Sequence, residues 1–508
     1  MNKKLFLYNS LSKKLEEFIP FDENDVKIYI CGPTVYDSPH IGHARTYISF
    51  DIMRRILEQY FKYQVTLVMN ITNIDDKIIN RANERDMSCS EISSIYENEF
   101  FEAMDKFKII KPTYITRVDE YVEEIVSFIE KLVEDKMAYE TNGSVYFNIN
   151  EYKKKFKYNI LRPETKKNET ILEGEIVNAD LKKSSNDFVL WKSSKENEPQ
   201  YESPWGMGRP GWHIECSVMA TSIFGSKLDI HAGGIDLSFP HHENEIAQCQ
   251  GYFESKWVNY FLHTGHLNIE GRKMSKSLKN FLSIKDILEK YSPTTVRILF
   301  LLHSWHSVMN YDEDQLKRAD QLKTKLFNFI SNAKAVLTES KVIATLPKLS
   351  LSSNNTKAIL SNVNRSVNSL DIKFYAELQV SKDKIDTHLK NNMNYSEALL
   401  EITNMITSLN TEMRNLHVDT LRAFLNYIKK ILSIFGVISV EEDCNECEEQ
   451  LALILNEFRS EIRQAAKTQS NSDKLFKLCD QVRDKLTELG YFIDDKQSAS
   501  TIRKVQQE

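Results

Sequence analysis

Glycine and proline are distributed very unevenly along this chain, and that distribution limits its fold more than any other feature. Thirteen of the fifteen glycines lie at or before Gly271, none occurs again until Gly436, and no proline follows Pro347. Because these residues mark turns and strand ends and disfavour helix interiors, their absence over a long stretch favours helices. The sequence therefore predicts a region with turns and strands over roughly the first 310 residues, followed by an all-α region.

The opening of the chain has the pattern of a strand, a helix and a second strand. Residues 26–31 form a short β-rich run, and residues 65–71 form another. Between them, apolar residues recur at helical spacing at Ile48, Ile52, Ile56 and Phe61. This spacing predicts a parallel pair in a doubly wound, Rossmann-like α/β domain, with ligands beyond the carboxyl ends of the strands. Cys31 and the loop to His43 fall at that point.

The composition divides the chain into three parts. Residues 1–310 are expected to form the domain that carries the chemistry, interrupted by a Lys/Asn/Glu-rich insertion at about residues 115–205. Residues 311–440 contain amphipathic helical patterns and are expected to form a helical stem. Residues 441–508 are expected to form a small terminal module, which opens with an acidic run over 441–449. A run of this kind is usually a solvated linker.

Charge and hydropathy exclude several classes of protein. The chain has 66 Lys and Arg against 72 Asp and Glu, so a nucleic-acid partner must be bound through local basic patches. No apolar run approaches the 18 residues of a membrane span, and Met1 is not followed by the apolar core of a signal peptide. An odd count of seven cysteines favours a reducing compartment. We therefore expect a cytoplasmic protein with no membrane partner.

A first candidate site is His40-Ile41-Gly42-His43, at the predicted start of the first long helix. The free N–H groups of a helix N-terminus suit phosphate. Gly42 would allow a nucleotide to lie against the backbone, and His40 and His43 could donate hydrogen bonds to phosphate oxygens. A pair of half-buried surface histidines is an equally good interpretation of these four residues alone.

A second candidate is Lys273-Met274-Ser275-Lys276-Ser277. Lys273 and Lys276, with small hydroxyl residues around them, could close over a triphosphate and stabilise the departing pyrophosphate. An ordinary basic surface loop would have the same composition.

A third candidate is a metal site. His241 and Glu245 are four residues apart, just after Pro240, which is well placed as the first residue of a helix. Thiolates from Cys31 and Cys216 would favour zinc over magnesium or calcium. Sequence spacing does not bring these segments together, and each cysteine alone is more typical of a small buried apolar residue.

The first two motifs, in this order and separated by a domain-sized stretch, match the paired signatures of class I aminoacyl-tRNA synthetases. Further segments are similar to signatures of the cysteinyl-tRNA synthetase family, namely residues 31–37, 70–77, 211–217, 239–245 and 309–311. The resemblance extends from about Leu5 to about Arg503. Residues 7–11 and 161–164 resemble the eukaryotic cytosolic branch. A similarity that begins so early is expected to leave little room for a transit peptide.

The resemblance implies a cysteine–tRNA ligase. Its substrates would be L-cysteine, ATP with Mg²⁺, and tRNA(Cys), with cysteinyl-adenylate as the intermediate. It places the zinc ligands at Cys31, Cys216, His241 and Glu245, the ammonium contacts at Thr72 and Asp236, and the pocket wall at Trp212 and His231. His40, Gly42, His43, Lys273 and Lys276 would bind ATP, with the histidines and lysines acting in catalysis.

Zinc would distinguish a thiol from a hydroxyl, which a hydrophobic pocket does poorly, so no separate editing site is expected. Four protein ligands usually mark a closed structural site. The interpretation therefore requires a fifth coordination position or a weakly held ligand, most simply Glu245.

Other questions stay open at the level of sequence. Relatives often carry a Trp before a terminal Arg, whereas this chain has Ile502-Arg503. Either Arg503 or Tyr491 and Phe492 would then stack on the anticodon, or the anticodon contact is weaker. Two other functions are possible: a cysteine-activating ligase that uses a small amine, and an inactive RNA-binding scaffold. A monomer is expected, with an oligomer left open.

Overall fold

The computed structural model describes residues 4–161, 181–196, 198–269, 271–273, 281–345, 367–439, 455, 459, 462, 472–488, 491–496 and 499–504. The chain forms two compact units. The first comprises Met1–Pro293, His303–Glu313 and Lys390–Met393. The second comprises Thr294–Leu302, Asp314–Leu389 and Asn394–Glu508. The three-part division expected from the sequence stays a prediction.

The strands of the described residues are β1 (Phe6–Asn9), β2 (Lys14–Glu17), β3 (Val26–Ile30), β4 (Val65–Ile71), β5 (Tyr114–Arg117), β6 (Ala138–Thr141), β7 (Ser144–Phe147), β8 (Phe188–Ser193), β9 (Gly208–Pro210), β10 (Leu228–Gly234), β11 (Val258–Thr264), β12 (Leu267–Ile269), β13 (Arg272–Lys273), β14 (Met309–Tyr311), β15 (Tyr491–Lys496) and β16 (Ala499–Lys504).

The α-helices are α1 (Ile41–Arg55), α2 (Asp76–Arg85), α3 (Cys89–Lys106), α4 (Val122–Glu134), α5 (Ile149–Lys155), α6 (Trp212–Phe224), α7 (Glu243–Phe253), α8 (Ile284–Leu288), α9 (Pro293–Leu301), α10 (Glu313–Thr345), α11 (Ser369–Lys390), α12 (Tyr395–Glu412), α13 (Val418–Ile434) and α14 (Ser472–Glu488).

A five-stranded sheet in the order β11-β10-β3-β4-β5 forms the centre of the first unit. Every neighbouring pair in it is parallel, and β3 pairs with β4 from Val26 opposite Val65 to Ile30 opposite Met69. Helix α1 connects these two strands, as the sequence pattern predicts. The Rossmann-like fold is therefore confirmed. The carboxyl ends of β3, β4 and β10 meet at one edge of the sheet, where ligands are expected.

A second, antiparallel sheet in the order β6-β7-β8-β9 lies in the sequence between β5 and β10. Its residues Val145, Phe147 and Trp191 join the same hydrophobic core as Ile214 and Cys216 of α6. The segment predicted as an insertion therefore contains a sheet of its own, and packs onto the helix that follows it.

Glycine is required where β3 ends, because the backbone of β4 lies very close. A Cβ atom at Gly32 would lie 1.6 Å from the carbonyl oxygen of Asn70. Any side chain at this position would push the two strand ends apart, so the close approach fixes the geometry of the residues around Cys31.

The second unit is mainly helical. The predicted amphipathic series is confirmed, since Leu399, Ile402 and Leu409 of α12 and Leu421 and Ile428 of α13 are all buried. After α14, the antiparallel hairpin of β15 and β16 adds two strands that the all-α expectation does not include. The acidic run over 441–449 lies outside the described residues. Within the described part of the chain, no helix is both long and apolar enough to cross a membrane.

Candidate active site and metal centre

The histidines of the first motif cap helix α1. The side chain of His40 accepts a hydrogen bond from the backbone N–H of His43, 3.3 Å between the nitrogens, and Nδ1 of His43 accepts one from the backbone N–H of His40 at 3.4 Å. Their rings stack with centroids 3.8 Å apart. Because both Nδ1 atoms accept, a neutral ring carries its proton on Nε2 and can donate it to a ligand.

Burial keeps these two rings neutral. It lowers the pKa of His40 from its usual value to about 4. Burial, together with the neighbouring His40, lowers the pKa of His43 well below its usual value. Two stacked imidazolium ions would repel each other, whereas two neutral rings form a pair of hydrogen-bond donors at a helix N-terminus. This arrangement suits phosphate oxygens.

Backbone hydrogen bonds place the chain on both sides of the lysine motif. The backbone of Lys273 pairs with Asn268 in β12. On the other side, the N–H of Ile41 donates to the carbonyl of Leu282, and the N–H of Ile284 donates to the carbonyl of Pro39. The chain that follows the lysine motif therefore runs against the backbone on either side of His40. Lys276 lies outside the described residues, so its contact with phosphate stays a prediction.

The four residues predicted as metal ligands lie together. One sulfur, nitrogen or oxygen atom from each of Cys31, Cys216, His241 and Glu245 lies within 4.8 Å of the others, and all four residues are buried. The Sγ atoms are 3.7 Å apart, and Nε2 of His241 lies 3.2 Å from Oε1 of Glu245. The fold brings together distant parts of the sequence, since more than 180 residues separate Cys31 from each of the other three ligands.

Burial favours the neutral forms of all four groups. Burial, followed by the neighbouring Cys216 and Glu245, raises the pKa of Cys31 well above its usual value. Burial likewise raises the pKa of Cys216 and of Glu245, and it lowers the pKa of His241. A divalent cation would stabilise the anionic forms of the two cysteines and of Glu245, whereas the neutral ring of His241 is already the form that binds a metal.

His241 is held in place by its neighbours. Its Nδ1 lies 3.1 Å from Nδ1 of His213, and its ring stacks on Trp212 at 4.3 Å. Phe239 is extended and interrupts the π-helical turn Ser238–His242, so Pro240 is the first residue of the helical backbone that leads into α7 at Glu243. His241 is therefore presented by the turn and Glu245 by the helix.

Three further histidines surround the cluster. Nε2 of His231 lies 2.8 Å from Oε2 of Glu245, and Nε2 of His242 lies 3.3 Å from Sγ of Cys31. Nδ1 of His242 in turn lies 2.8 Å from Nε2 of His263. Cys31, His231, His242 and Glu245 form a second group that could hold an ion. His231 is completely buried against Glu245, and its predicted place in the pocket wall stays a prediction.

The two residues predicted to bind an ammonium group differ in their surroundings. Thr72 is buried, and its hydroxyl bonds to Glu215 at 3.1 Å and to Asn70 at 3.2 Å. Asp236 has a side chain that is 55% exposed and pairs with Nδ1 of His266 at 3.2 Å. The charge of Asp236 also acts on His40, which places this carboxylate near the first motif. Its role toward an ammonium group stays a prediction.

Sequence reasoning missed His263, Asn70 and Glu215. Asn70 and Glu215 stand inside the quoted motifs, next to residues that were assigned roles. Their position, at the end of a strand and near the start of a helix beside Cys31, could have indicated that they support the site. His263 carries no local signal, because only the pairing of β10 with β11 brings it next to His242.

The fold and the motif His40-Ile41-Gly42-His43 define a class I aminoacyl-tRNA synthetase. Residues 17–321 match the family model of the tRNA synthetases class I (C) catalytic domain. Similar folds occur in the methionyl-tRNA synthetase of Mycobacterium tuberculosis, with a TM-score of 0.56 and 15% identity over 82% of this chain and 90% of that one. The LeuRS–tRNA–LeuAMS complex of Agrobacterium radiobacter K84 gives a TM-score of 0.56 with 11% identity, over 82% and 85%.

Full-length relatives identify the family. The chain is 45% identical to the cysteine–tRNA ligase of Encephalitozoon cuniculi, over 99% of this chain and 100% of the relative. It is 39% identical to the cytoplasmic cysteine–tRNA ligase of Dictyostelium discoideum, over 99% and 78%. It is 38% identical to the cysteine–tRNA ligase of Methanococcus maripaludis strain C7, over 98% and 99%. The chain belongs to the cysteine–tRNA ligase family of aminoacyl-tRNA ligases.

Proposed function

We propose that this chain activates L-cysteine with ATP and transfers it to the 3′-terminal adenosine of tRNA(Cys), with a zinc ion selecting the thiol over the hydroxyl of serine. The observation that carries the proposal is the buried cluster of Cys31, Cys216, His241 and Glu245, at the same edge of the parallel sheet as the capped His40–His43 pair. The relatives named as cysteine–tRNA ligases support it independently.

The donor set fits zinc. Two sulfurs, one imidazole nitrogen and one carboxylate oxygen are the ligands that zinc prefers, and hard cations such as Mg²⁺ do not favour thiolates. Bound there, zinc would supply a soft Lewis acid that prefers a thiolate to a hydroxyl group. His213 and Trp212 hold the ring of His241, while His231 takes Oε2 of Glu245 and leaves Oε1 toward the cluster. Such fixed ligands favour one geometry.

The first step is an in-line attack of the cysteine carboxylate on the α-phosphate of Mg-ATP. The bond to the bridging oxygen breaks, pyrophosphate leaves, and cysteinyl-adenylate forms. His40 and His43 would donate Nε2–H bonds to phosphate oxygens, and Lys273 and Lys276 would neutralise the departing pyrophosphate. Positioning and electrostatics dominate such transfers, so an acid–base pair is not required.

In the second step, a hydroxyl of the terminal ribose of the tRNA attacks the adenylate carbonyl, and AMP leaves. The terminal module would read the anticodon. By analogy with the relatives named as cytoplasmic, the reaction would take place in the cytoplasm, and we propose that the chain acts as a monomer.

Pyrophosphate exchange into ATP tests the proposal. We expect exchange that depends on cysteine, that serine does not support, and that a zinc chelator abolishes until zinc is restored. Charging of tRNA(Cys) should follow with the same metal dependence. Absence of exchange would refute the ligase and leave the scaffold hypothesis. Exchange without charging of tRNA would favour the ligase that uses a small amine.

A further inference from the structure

The connection that leads from β3 to the phosphate motif, residues 40–43, has little regular structure of its own. It comprises residues 31–40, which contain isolated backbone bridges but no helix or strand. Near its start, backbone bonds join it to Thr72, and near its end the N–H of Ile284 donates to the carbonyl of Pro39 at 3.1 Å. The residues between these two anchors are placed by the contacts of their side chains.

Two consecutive side chains of this connection bond to two different helices. Oδ2 of Asp37 accepts from Nη2 of Arg81 in α2 at 2.9 Å, and the hydroxyl of Ser38 donates to Oε2 of Glu99 in α3 at 3.1 Å. The side chains of Arg81 and Asp37 are 25% and 18% exposed, so this ion pair is partly shielded from water. Both contacts are made directly before Pro39, the residue that leads into the phosphate motif.

His40 depends on this connection more than His43 does. His43 lies inside α1, and that helix packs against α3 through the edge-to-face contact of Tyr47 with Phe100, whose ring centroids are 5.1 Å apart. His40 is the cap residue, with extended backbone angles (φ −120°, ψ 170°), so its direction is set by the chain that precedes it. A shift of Ser38 would therefore move the ring of His40 relative to that of His43.

We propose that Glu99 and Arg81 are positioning residues, which place His40 to donate to a phosphate oxygen of ATP. They act through Ser38 and Asp37 and do not touch the nucleotide. The placement matters because a displacement of about 1 Å in a contacting group costs up to about a hundredfold in rate. This assignment rests on the proposed function and on its phosphate contact of His40, and it adds two residues that lie outside every motif of the sequence.

The first test compares Glu99→Ala with Glu99→Gln in the zinc-loaded, full-length chain. Alanine removes the acceptor of the Ser38 hydroxyl, so we expect kcat of cysteine-dependent pyrophosphate exchange to fall about ten- to hundredfold. Glutamine loses the charge but keeps an acceptor oxygen, so it should keep kcat within about threefold. The KM for cysteine should change by less than about threefold in both variants, because the change is in the placement of His40. Arg81→Ala should lower kcat as Glu99→Ala does.

Glu97→Ala is the matched control, because Glu97 lies on the same helix as Glu99 and makes a stronger contact with another residue. Its Oε1 accepts from Nε and Nη2 of Arg117 in β5, at 2.9 and 2.6 Å. Its loss should lower the melting temperature at least as much as Glu99→Ala does, and should leave kcat of exchange unchanged. The two variants thus separate the placement of His40 from the general stability of the fold.

Double-mutant cycles show whether Glu99 acts through Ser38 and His40. Glu99→Ala should add little to the effect of Ser38→Ala, and little to that of His40→Asn, in which the asparagine still caps α1. The zinc content of Glu99→Ala should equal that of the unmodified chain, because Cys31 is held separately, by its N–H bond to the carbonyl of Ala232 at 3.1 Å.

Normal exchange by Glu99→Ala, equally slow exchange by Glu99→Gln or Glu97→Ala, loss of zinc, or additive effects in either cycle would each overturn the inference. If the unmodified chain shows no cysteine-dependent exchange, the proposed function fails, and that result is distinct from these.

Discussion

At the scale of single residues, the candidate site depends on groups that burial has made neutral. Cys31, Cys216, His241 and Glu245 each have a pKa shifted by burial toward the neutral form. A cation that enters the cluster must therefore displace the protons of Cys31, Cys216 and Glu245, while the neutral ring of His241 can bind it directly, and the affinity should fall as the pH falls. This couples the binding of metal directly to the chemistry of four side chains.

Replacing Cys216 by Ala should remove the metal. One of two sulfurs is lost from a buried site, and we expect the affinity for zinc to fall by at least about a hundredfold, as even outer contacts of a metal site are worth ten- to a hundredfold. Metal content after dialysis measures the effect. Cys249→Ala is the matched control, because Cys249 is equally buried but does not belong to either group of candidate ligands. Full zinc content in Cys216→Ala would refute the ligand assignment.

His40 should make the fold sensitive to acid. Its folded-state pKa of about 4 lies below the usual value of 6.5, so the unfolded chain binds the proton more readily between these two pH values. Stability should therefore fall as the pH falls from 6.5 to 4, with His40 contributing up to about 3 kcal/mol. Denaturant unfolding at several pH values should show a shallower dependence for His40→Asn. An equally steep dependence in the variant would contradict this account.

At the scale of elements, the site is made by strand ends that approach each other closely. The hydrophobic runs and helical spacing were enough to predict β3, α1 and β4, and the i, i+4 rule was enough to pair His241 with Glu245. Pro240 stands where helical backbone begins, as predicted, since Phe239 before it is extended and a proline favours that conformation in the preceding residue.

The rest of the site depends on pairings between distant segments. His263 lies next to His242 only because β11 pairs with β10, and His231 lies next to Glu245 because α7 folds back against the end of β10. The place of Asn70 is set in the same way, since it is the backbone of β4 that excludes a side chain at Gly32. Periodicity within one element carries no information about such contacts. A family resemblance supplied the four ligands, but not the residues that hold them.

Gly32→Ala tests the close approach of β3 and β4. The new Cβ would meet the backbone of Asn70, which cannot rotate away, so we expect a loss of about 3 kcal/mol or more, at the upper end for overpacking. Zinc affinity should fall too, because Cys31 is the adjacent residue. Thermal unfolding and metal content measure the two effects.

Gly234→Ala provides the comparison for that variant. Gly234 has φ −69°, and a Cβ there would meet only Oγ1 of Thr46, at 3.9 Å. The substitution should therefore leave the melting temperature nearly unchanged. Equal destabilisation by the two substitutions would show that the approach of β3 to β4 is not the cause.

At the scale of the whole molecule, the proposed activation of the amino acid and the proposed reading of the tRNA fall in different compact units. The metal cluster and the phosphate motif belong to the first compact unit, and the hairpin of β15 and β16 belongs to the second. Chemistry in one unit and recognition in the other implies that some substitutions should affect tRNA charging while leaving pyrophosphate exchange intact.

The structure of the hairpin distinguishes between Tyr491 and Phe492, the two aromatic residues predicted to stack on an anticodon base. Tyr491 is buried, with 6% exposure, and packs with Leu486, whereas Phe492 is 42% exposed. Phe492 lies directly opposite Arg503 in the strand register. A buried ring cannot receive a base, so Phe492, at the same register position as Arg503, is the better candidate of the two aromatic residues.

Phe492→Ala should therefore lower charging of tRNA(Cys) roughly ten- to hundredfold, since stacking of one base on an aromatic ring is worth about 1–3 kcal/mol. Cysteine-dependent pyrophosphate exchange should be unchanged, because it needs no tRNA. Phe492→Trp keeps an exposed aromatic face and should charge tRNA normally, which separates loss of stacking from damage to the hairpin. Normal charging by Phe492→Ala would exclude this ring, and a parallel loss of exchange would show that the substitution disturbs the fold rather than recognition of the anticodon.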